Sequence, residues 1–109
     1  MKGTHLGEFE ELVLLVVGAL FDDAYGVAIK QEIRKQAKRK VTLSTVHAAL
    51  HRLEQKGYLK SRLGDPTNER GGKRKRLFTL TAAGVKVLQQ AHELRNHLWE
   101  SLPKIAFNI

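Results

Sequence analysis

The chain changes its hydrophobic period at Gly57 and changes it back at Thr81. Before Gly57, apolar residues recur every three or four positions: Phe9, Leu12, Val13, Val16 and Leu20 in one segment, Tyr25, Ile29 and Ile33 in a second, Val46, Ala49, Leu50 and Leu53 in a third. That spacing gathers apolar groups on one face of a helix. In the first segment Leu14, Leu15 and Val17 make the opposite side apolar too, which predicts a helix buried on two faces. Tyr58 to Leu63 and Lys75 to Leu80 read as two short strands, joined through Asp65, Pro66, Thr67, Asn68 and the Gly71-Gly72 pair, a turn composition. After Thr81 the helical period returns at Gly84, Val87, Leu88, Ala91, Leu94, Leu98 and Leu102, up to Pro103.

Local signals place the ends of these segments. Thr42 and Thr81 stand where N-caps are needed, and Asp22 or Asp23 can cap the second helix. Gly57 is placed to end the third, which runs from about Leu43 to Lys56. The order helix, helix, helix, hairpin, helix predicts a mainly α domain with a small β-hairpin. That is a winged helix-turn-helix over residues 1–80, followed by a dimerisation helix and tail over 81–109. One domain of 109 residues buries only a modest core, so surplus apolar surface is expected between subunits. The seam is expected on Leu88, Ala91, Leu94, Leu98 and Leu102.

Charge points to the partner. Of nineteen Lys and Arg, fifteen lie between Lys30 and Arg76, opposed there only by Glu32, Glu54, Asp65 and Glu69, so that segment carries +11 of a chain total of +8. A polyanion suits such a segment better than an acidic small substrate. The chain has no cysteine, which excludes disulfides and thiolate chemistry. The apolar run from Leu12 to Leu20 is nine residues, against roughly 20 needed to span a bilayer. Glu8, Glu10 and Glu11 precede it where a signal peptide wants bases. A cytoplasmic protein with no membrane partner is expected.

On a helical wheel the third helix turns Ser44, Ala48, His51, Arg52 and Gln55 away from its apolar side. Small residues let a helix sit closely in the roughly 12 Å major groove, and Arg52 and Gln55 carry donors able to read guanine or adenine edges. First-turn amides near Thr42 to Thr45 can face a phosphate. Lys73, Arg74, Lys75 and Arg76 form a run suited to a wing on the DNA backbone. Each feature alone has a plainer reading as solvated surface. Their adjacency favours double-stranded DNA.

With these residues in place, the chain resembles the PadR-type transcriptional regulators, of the compact kind with a short C-terminal helix. The resemblance rests on Leu12 to Leu20, on Tyr25-Gly26 opening the second helix, on Thr42 to Leu50, on Leu53-Glu54-Gln55-Lys56-Gly57-Tyr58-Leu59, and on Lys73 to Thr81 with Ala83-Gly84. It implies a dimer built by the first and last helices, which adds Phe9 and Val13 to the seam. It also implies a palindromic operator, repression as the usual outcome and, in some members, release by a small molecule. Tyr25 joins the expected DNA contacts. His47 stands where the family often has an aromatic, and Phe78 where it has a tyrosine. His47 is read as packing or as touching the DNA backbone.

Competing readings are weaker. A winged-helix metal sensor would draw on the last helix, but His92 and His97 are about 140° apart around it, and Glu93, His97 and Glu100 oppose its apolar stripe. Ser44, Ser61 and Ser101 lack the neighbours of a nucleophile, and no phosphate-binding glycine loop follows a strand, so no enzyme and no cofactor are expected. A protein-interaction winged helix has no need of the charge segregation. RNA binding is disfavoured because Tyr58 and Phe78 are expected to pack inward. Trp99, at the edge of the seam, is expected either to anchor the dimer core or to wall a cavity for a small hydrophobic or aromatic effector.

Overall fold

In the computed structural model, which describes residues 6–65 and 74–107, the chain folds as α1 (Glu8–Leu20), α2 (Gly26–Ala37), α3 (Leu43–Gln55), β1 (Leu59–Leu63), β2 (Arg76–Leu80) and α4 (Ala82–Glu100). Short 3-10 turns occupy Phe21–Asp23 and Lys104–Phe107. The elements follow the order expected from the sequence, and strand and helix bounds move by one residue or two.

Helix α1 starts with three acids in its first turn, where the positive end of the helix dipole favours them. It buries Val13, Leu14, Val16 and Val17 and so is covered on both sides, with Leu15 left exposed. Around it close Ile29 and Ile33 of α2, then Val46, Ala49, Leu50 and Leu53 of α3, with Tyr58, Leu59, Phe78 and Val87 completing one core. This corrects one expectation. Val13 is 0% exposed, so it belongs to the chain's own core and offers nothing to a second subunit.

Side chains set most of the junctions. Thr42 accepts the Thr45 amide at 3.1 Å, the N-cap bond that satisfies a first-turn amide. Gly57 takes φ 82°, a left-handed conformation cheap only for glycine, and there the chain leaves α3 for β1. The Thr81 hydroxyl accepts the Gly84 amide at 3.0 Å and donates to the Gly57 carbonyl at 2.6 Å. A Cβ on Gly84 would stand 2.2 Å from the Tyr58 carbonyl oxygen, so only glycine lets α4 approach the turn this closely. Asp22 and Asp23 do not cap α2. They lie in the 3-10 turn, and Tyr25 takes the N-cap place in extended backbone without a side-chain bond.

The hairpin is antiparallel, with Leu59 opposite Leu80 and Leu63 opposite Arg76. Its second strand has a further partner that periodicity did not suggest: the Phe78 amide donates to the Ala24 carbonyl at 2.8 Å. The base of the wing is thus tied to the segment that opens α2. Helix α4 divides in the middle. Gly84 and Val87 are buried and Leu88 packs against the core, but Leu94, Leu98, Trp99 and Leu102 are exposed, on a molecule 59 Å long and 21 Å thin.

Candidate nucleic-acid interface

Helix α3 turns its inner residues to the core and leaves Ser44, Thr45, Ala48, His51 and Gln55 exposed. At its N-terminus three hydroxyls gather, Thr42 Oγ1 lying 3.2 Å from Ser44 Oγ and 2.8 Å from Thr45 Oγ1. One flank packs on α2. A Cβ on Gly26 would meet the His47 ring at 2.9 Å, so the imidazole lies over that glycine while the residue stays exposed.

The opposite flank is engaged by α1. Arg52 Nε donates to Glu10 Oε2 at 3.1 Å, and Lys56 Nζ donates to Glu10 Oε1 at 2.9 Å and Oε2 at 3.1 Å. Arg52 therefore leans toward α1, away from the centre of the outward face where the wheel put it, and its side chain stays half-exposed. Glu10 is 6% exposed. Its Oε1 also accepts the Gly7 amide at 2.9 Å. Burial alone would push the Glu10 carboxyl up, but the hydrogen bonds from Lys56, the Gly7 amide and Arg52 outweigh it and hold the group below the ordinary glutamate value. Sequence reasoning passed over this hub. Its signal was present, because Glu10, Val13, Leu14 and Val17 share helical spacing, which puts a carboxylate on an apolar stripe.

Arg39 and Arg95 are held in the same way, by Glu8 at 2.8 Å and Glu11 at 2.7 Å, and the Arg39 guanidinium stands 5.2 Å from the Phe9 ring centroid. All four of these ion pairs end on the first turn of α1. The other cations of the basic segment are disposed differently. Arg74, Lys75 and Arg76 are exposed at the wing base, whereas Lys73 lies outside the described residues. Lys75 Nζ sits 4.1 Å over the Tyr25 ring, so the aromatic expected to touch DNA is placed beneath a wing cation. Arg76 donates to Ser61 Oγ at 3.0 Å, and Ser61 donates to Glu54 at 2.8 Å, which links wing and α3. Between α2 and the start of α3 lies an open groove of about 680 Å³ bordered by Lys30, Arg34, Lys40 and Thr42. The sequence did not single it out, because its walls come from two elements.

A helix with an outward polar face, set between a cationic groove and a cationic hairpin, is the surface of a DNA-reading winged helix. The model of the PadR-like family of transcriptional regulators matches residues 13–90. The chain belongs to that family. Its fold is similar to a PadR family transcription regulator from hypervirulent Clostridium difficile R20291, 22% identical with a TM-score of 0.72 over 86% of this chain and 93% of the other. A PadR-like transcription factor from Bacteroides fragilis is 22% identical, with a TM-score of 0.70 over 85% and 84% of the two chains. A transcriptional regulator from Clostridium thermocellum is 26% identical, with a TM-score of 0.67 over 84% and 82%. A comparison with curated proteins finds no match. Among the described residues of this PadR-like chain, no helix is long and apolar enough to cross a membrane, and no three His, Asp or Glu stand together as a metal site.

Proposed function

We propose that this PadR-like protein is a sequence-specific DNA-binding repressor that acts in the cytoplasm as a homodimer on a palindromic operator, with no catalytic activity. The observation that carries the reading is the sorting of charge around α3. Cations on the α1 side are neutralised by carboxylates, while those of the groove and of the wing base meet no carboxylate in an ion pair among the described residues. A surface kept cationic on both sides of a small polar helix face suits a duplex, whose phosphates flank the groove. Ser44, Ala48, His51 and Gln55 face the bases in this reading, Arg52 reaches them from the flank, and Thr42, Thr45, Arg74, Lys75 and Arg76 meet the backbone. Tyr25 acts through the cation it carries.

The dimer reading is supported by the outer half of α4, where Leu94, Leu98 and Leu102 are exposed at the spacing of one helix face. Leu98 is 56% exposed in the single chain. Leu98→Asp puts a charge into that seam and should give a folded monomer by sedimentation velocity. Selection from a randomised duplex pool tests the whole reading. An inverted repeat with half-site centres about one helical turn apart is expected, and recovery of no motif would overturn sequence-specific binding.

Trp99 supports a response to a small hydrophobic or aromatic effector. It is 62% exposed, meets Phe107 edge-on at 5.4 Å, and shares a shallow surface with Arg95, Leu98 and Leu102 that a second α4 would roof. As the single Trp of the chain it reports directly. A fully hydrated emission spectrum from the intact dimer would exclude a cavity there.

A further inference from the structure

The α2–α3 groove has a composition that the reading helix and wing do not account for. Lys30 and Arg34 are four residues apart on α2 and so share a face, and Lys40 approaches from the turn before α3. All three are exposed, around half-buried Val41 and Leu43. Among the described residues none of the three is paired with a carboxylate, although Arg39, next in the chain to Lys40, is held by Glu8. The one acid on the same stretch of α2, Glu32, accepts instead from Gln36 at 2.8 Å. Thr42, on the groove wall, caps a helix of thirteen residues, so the amide end of α3 adds its positive potential to that of the three side chains.

We propose that this groove seats a short sugar-phosphate stretch of the DNA backbone, with Lys30, Arg34 and Lys40 on its successive phosphates and Val41 and Leu43 against the deoxyribose between them. The seat deepens the DNA-binding reading and rests on it. It lies on the α2 side of α3, while the wing base approaches from the hairpin, so the reading helix is clamped from two directions. Three unopposed cations over an apolar floor match the alternation of charge and carbon along a nucleic-acid strand. An anion without the sugar leaves the floor unused.

The test uses the intact protein and a labelled random-sequence duplex, so that no operator is needed, with affinity followed against salt. Lys30→Gln, Arg34→Gln and Lys40→Gln should each lower the slope of log affinity against log salt by about 0.9 for each phosphate no longer neutralised. That is a three- to fourfold smaller fall in affinity between about 50 and 200 mM salt for each such phosphate. Lys86→Gln, which removes the same charge from the exposed side of α4, should leave the slope unchanged. Thermal melting of all four variants should match the wild type, because every altered side chain is exposed. Groove variants that keep the wild-type slope, or a Lys86→Gln variant whose slope falls as far, would overturn the seat while leaving DNA binding intact. A wild-type chain with no salt-dependent affinity for duplex would instead sink the parent reading. Inorganic phosphate, titrated into the free protein and followed by amide shifts at Lys40 to Leu43, tests the source. Saturable binding abolished by Arg34→Gln, with unchanged DNA slopes, would assign the groove to a free anion and overturn the proposal.

Discussion

Arg39 and Lys40 are neighbours in sequence and opposites in use. Arg39 closes on Glu8 and lies over the Phe9 ring, whereas Lys40 borders the groove without a carboxylate among the described residues. The same division runs through the whole basic segment. Toward α1, cations are tied to Glu8, Glu10 and Glu11 and serve to fasten helices together; toward α2 and the wing they are left for a partner. Net charge alone merges these two populations, and only the second should register in binding.

The largest effect on stability is expected at Glu10. Glu10→Ala removes an acceptor that Arg52, Lys56 and the Gly7 amide share, at a cost of about 1 to 2 kcal/mol, kept low because half-exposed Arg52 is resolvated by water. Urea unfolding should show it, and specific DNA binding should weaken because Arg52 loses its support. The pH dependence carries the same signature. The folded-state pKa of Glu10 is depressed, so its stabilisation is present above the ordinary glutamate range and is lost as pH falls through the lowered value. Glu10→Gln should flatten that part of the acid limb, and an unchanged limb would show that the hub is not a fastening.

The wing base should behave in the opposite manner. Arg74→Ala with Lys75→Ala is expected to cost at most about 1 kcal/mol of stability, the worth of the cation–π pair between Lys75 and Tyr25. It should lower the salt slope of DNA binding by about 0.9 for each phosphate these two residues neutralise, for operator and random duplex alike. A loss of discrimination with the slope intact would move these residues from clamp to reader.

The smallest effect is expected at Arg39, and it sharpens the comparison most. Its partner is largely exposed, so Arg39→Gln should cost less than about 1 kcal/mol and leave the salt slope unchanged. If it lowered the slope as Lys40→Gln does, the division between fastened and free cations would fail within one dipeptide.

What was legible in the sequence was local. Thr42, Gly57 and Thr81 announce junctions because a hydroxyl or a missing Cβ acts within a few residues, and the inward stripe of α3 follows from its own spacing. What escaped depends on residues far apart in the chain. Arg52 looked outward because a wheel knows one helix, and its tilt is set by a carboxylate on another. Glu10 was read with its acidic neighbours only as a sign against a signal peptide, although its position among Val13, Leu14 and Val17 marks it as inward. Val13 went to the seam because the family resemblance implies a dimer built partly by the first helix, without saying which of its apolar residues the chain's own core covers. Helix α4 makes the same point in a single stripe, since Val87 is covered by the chain's own core and Leu98 is not.

The bond from the Phe78 amide to the Ala24 carbonyl gives the interface a fixed gauge. With the wing base fastened to the start of α2 there, and again where Lys75 rests on Tyr25, hairpin and α2 are tied at two points, and those ties set the span between hairpin and groove. So tied, the two work as calipers. A duplex whose backbone separation differs from the span must deform to fit, and the energy of that deformation depends on base steps that no side chain reaches. Part of the operator preference would then be written in the stiffness of the DNA between the jaws.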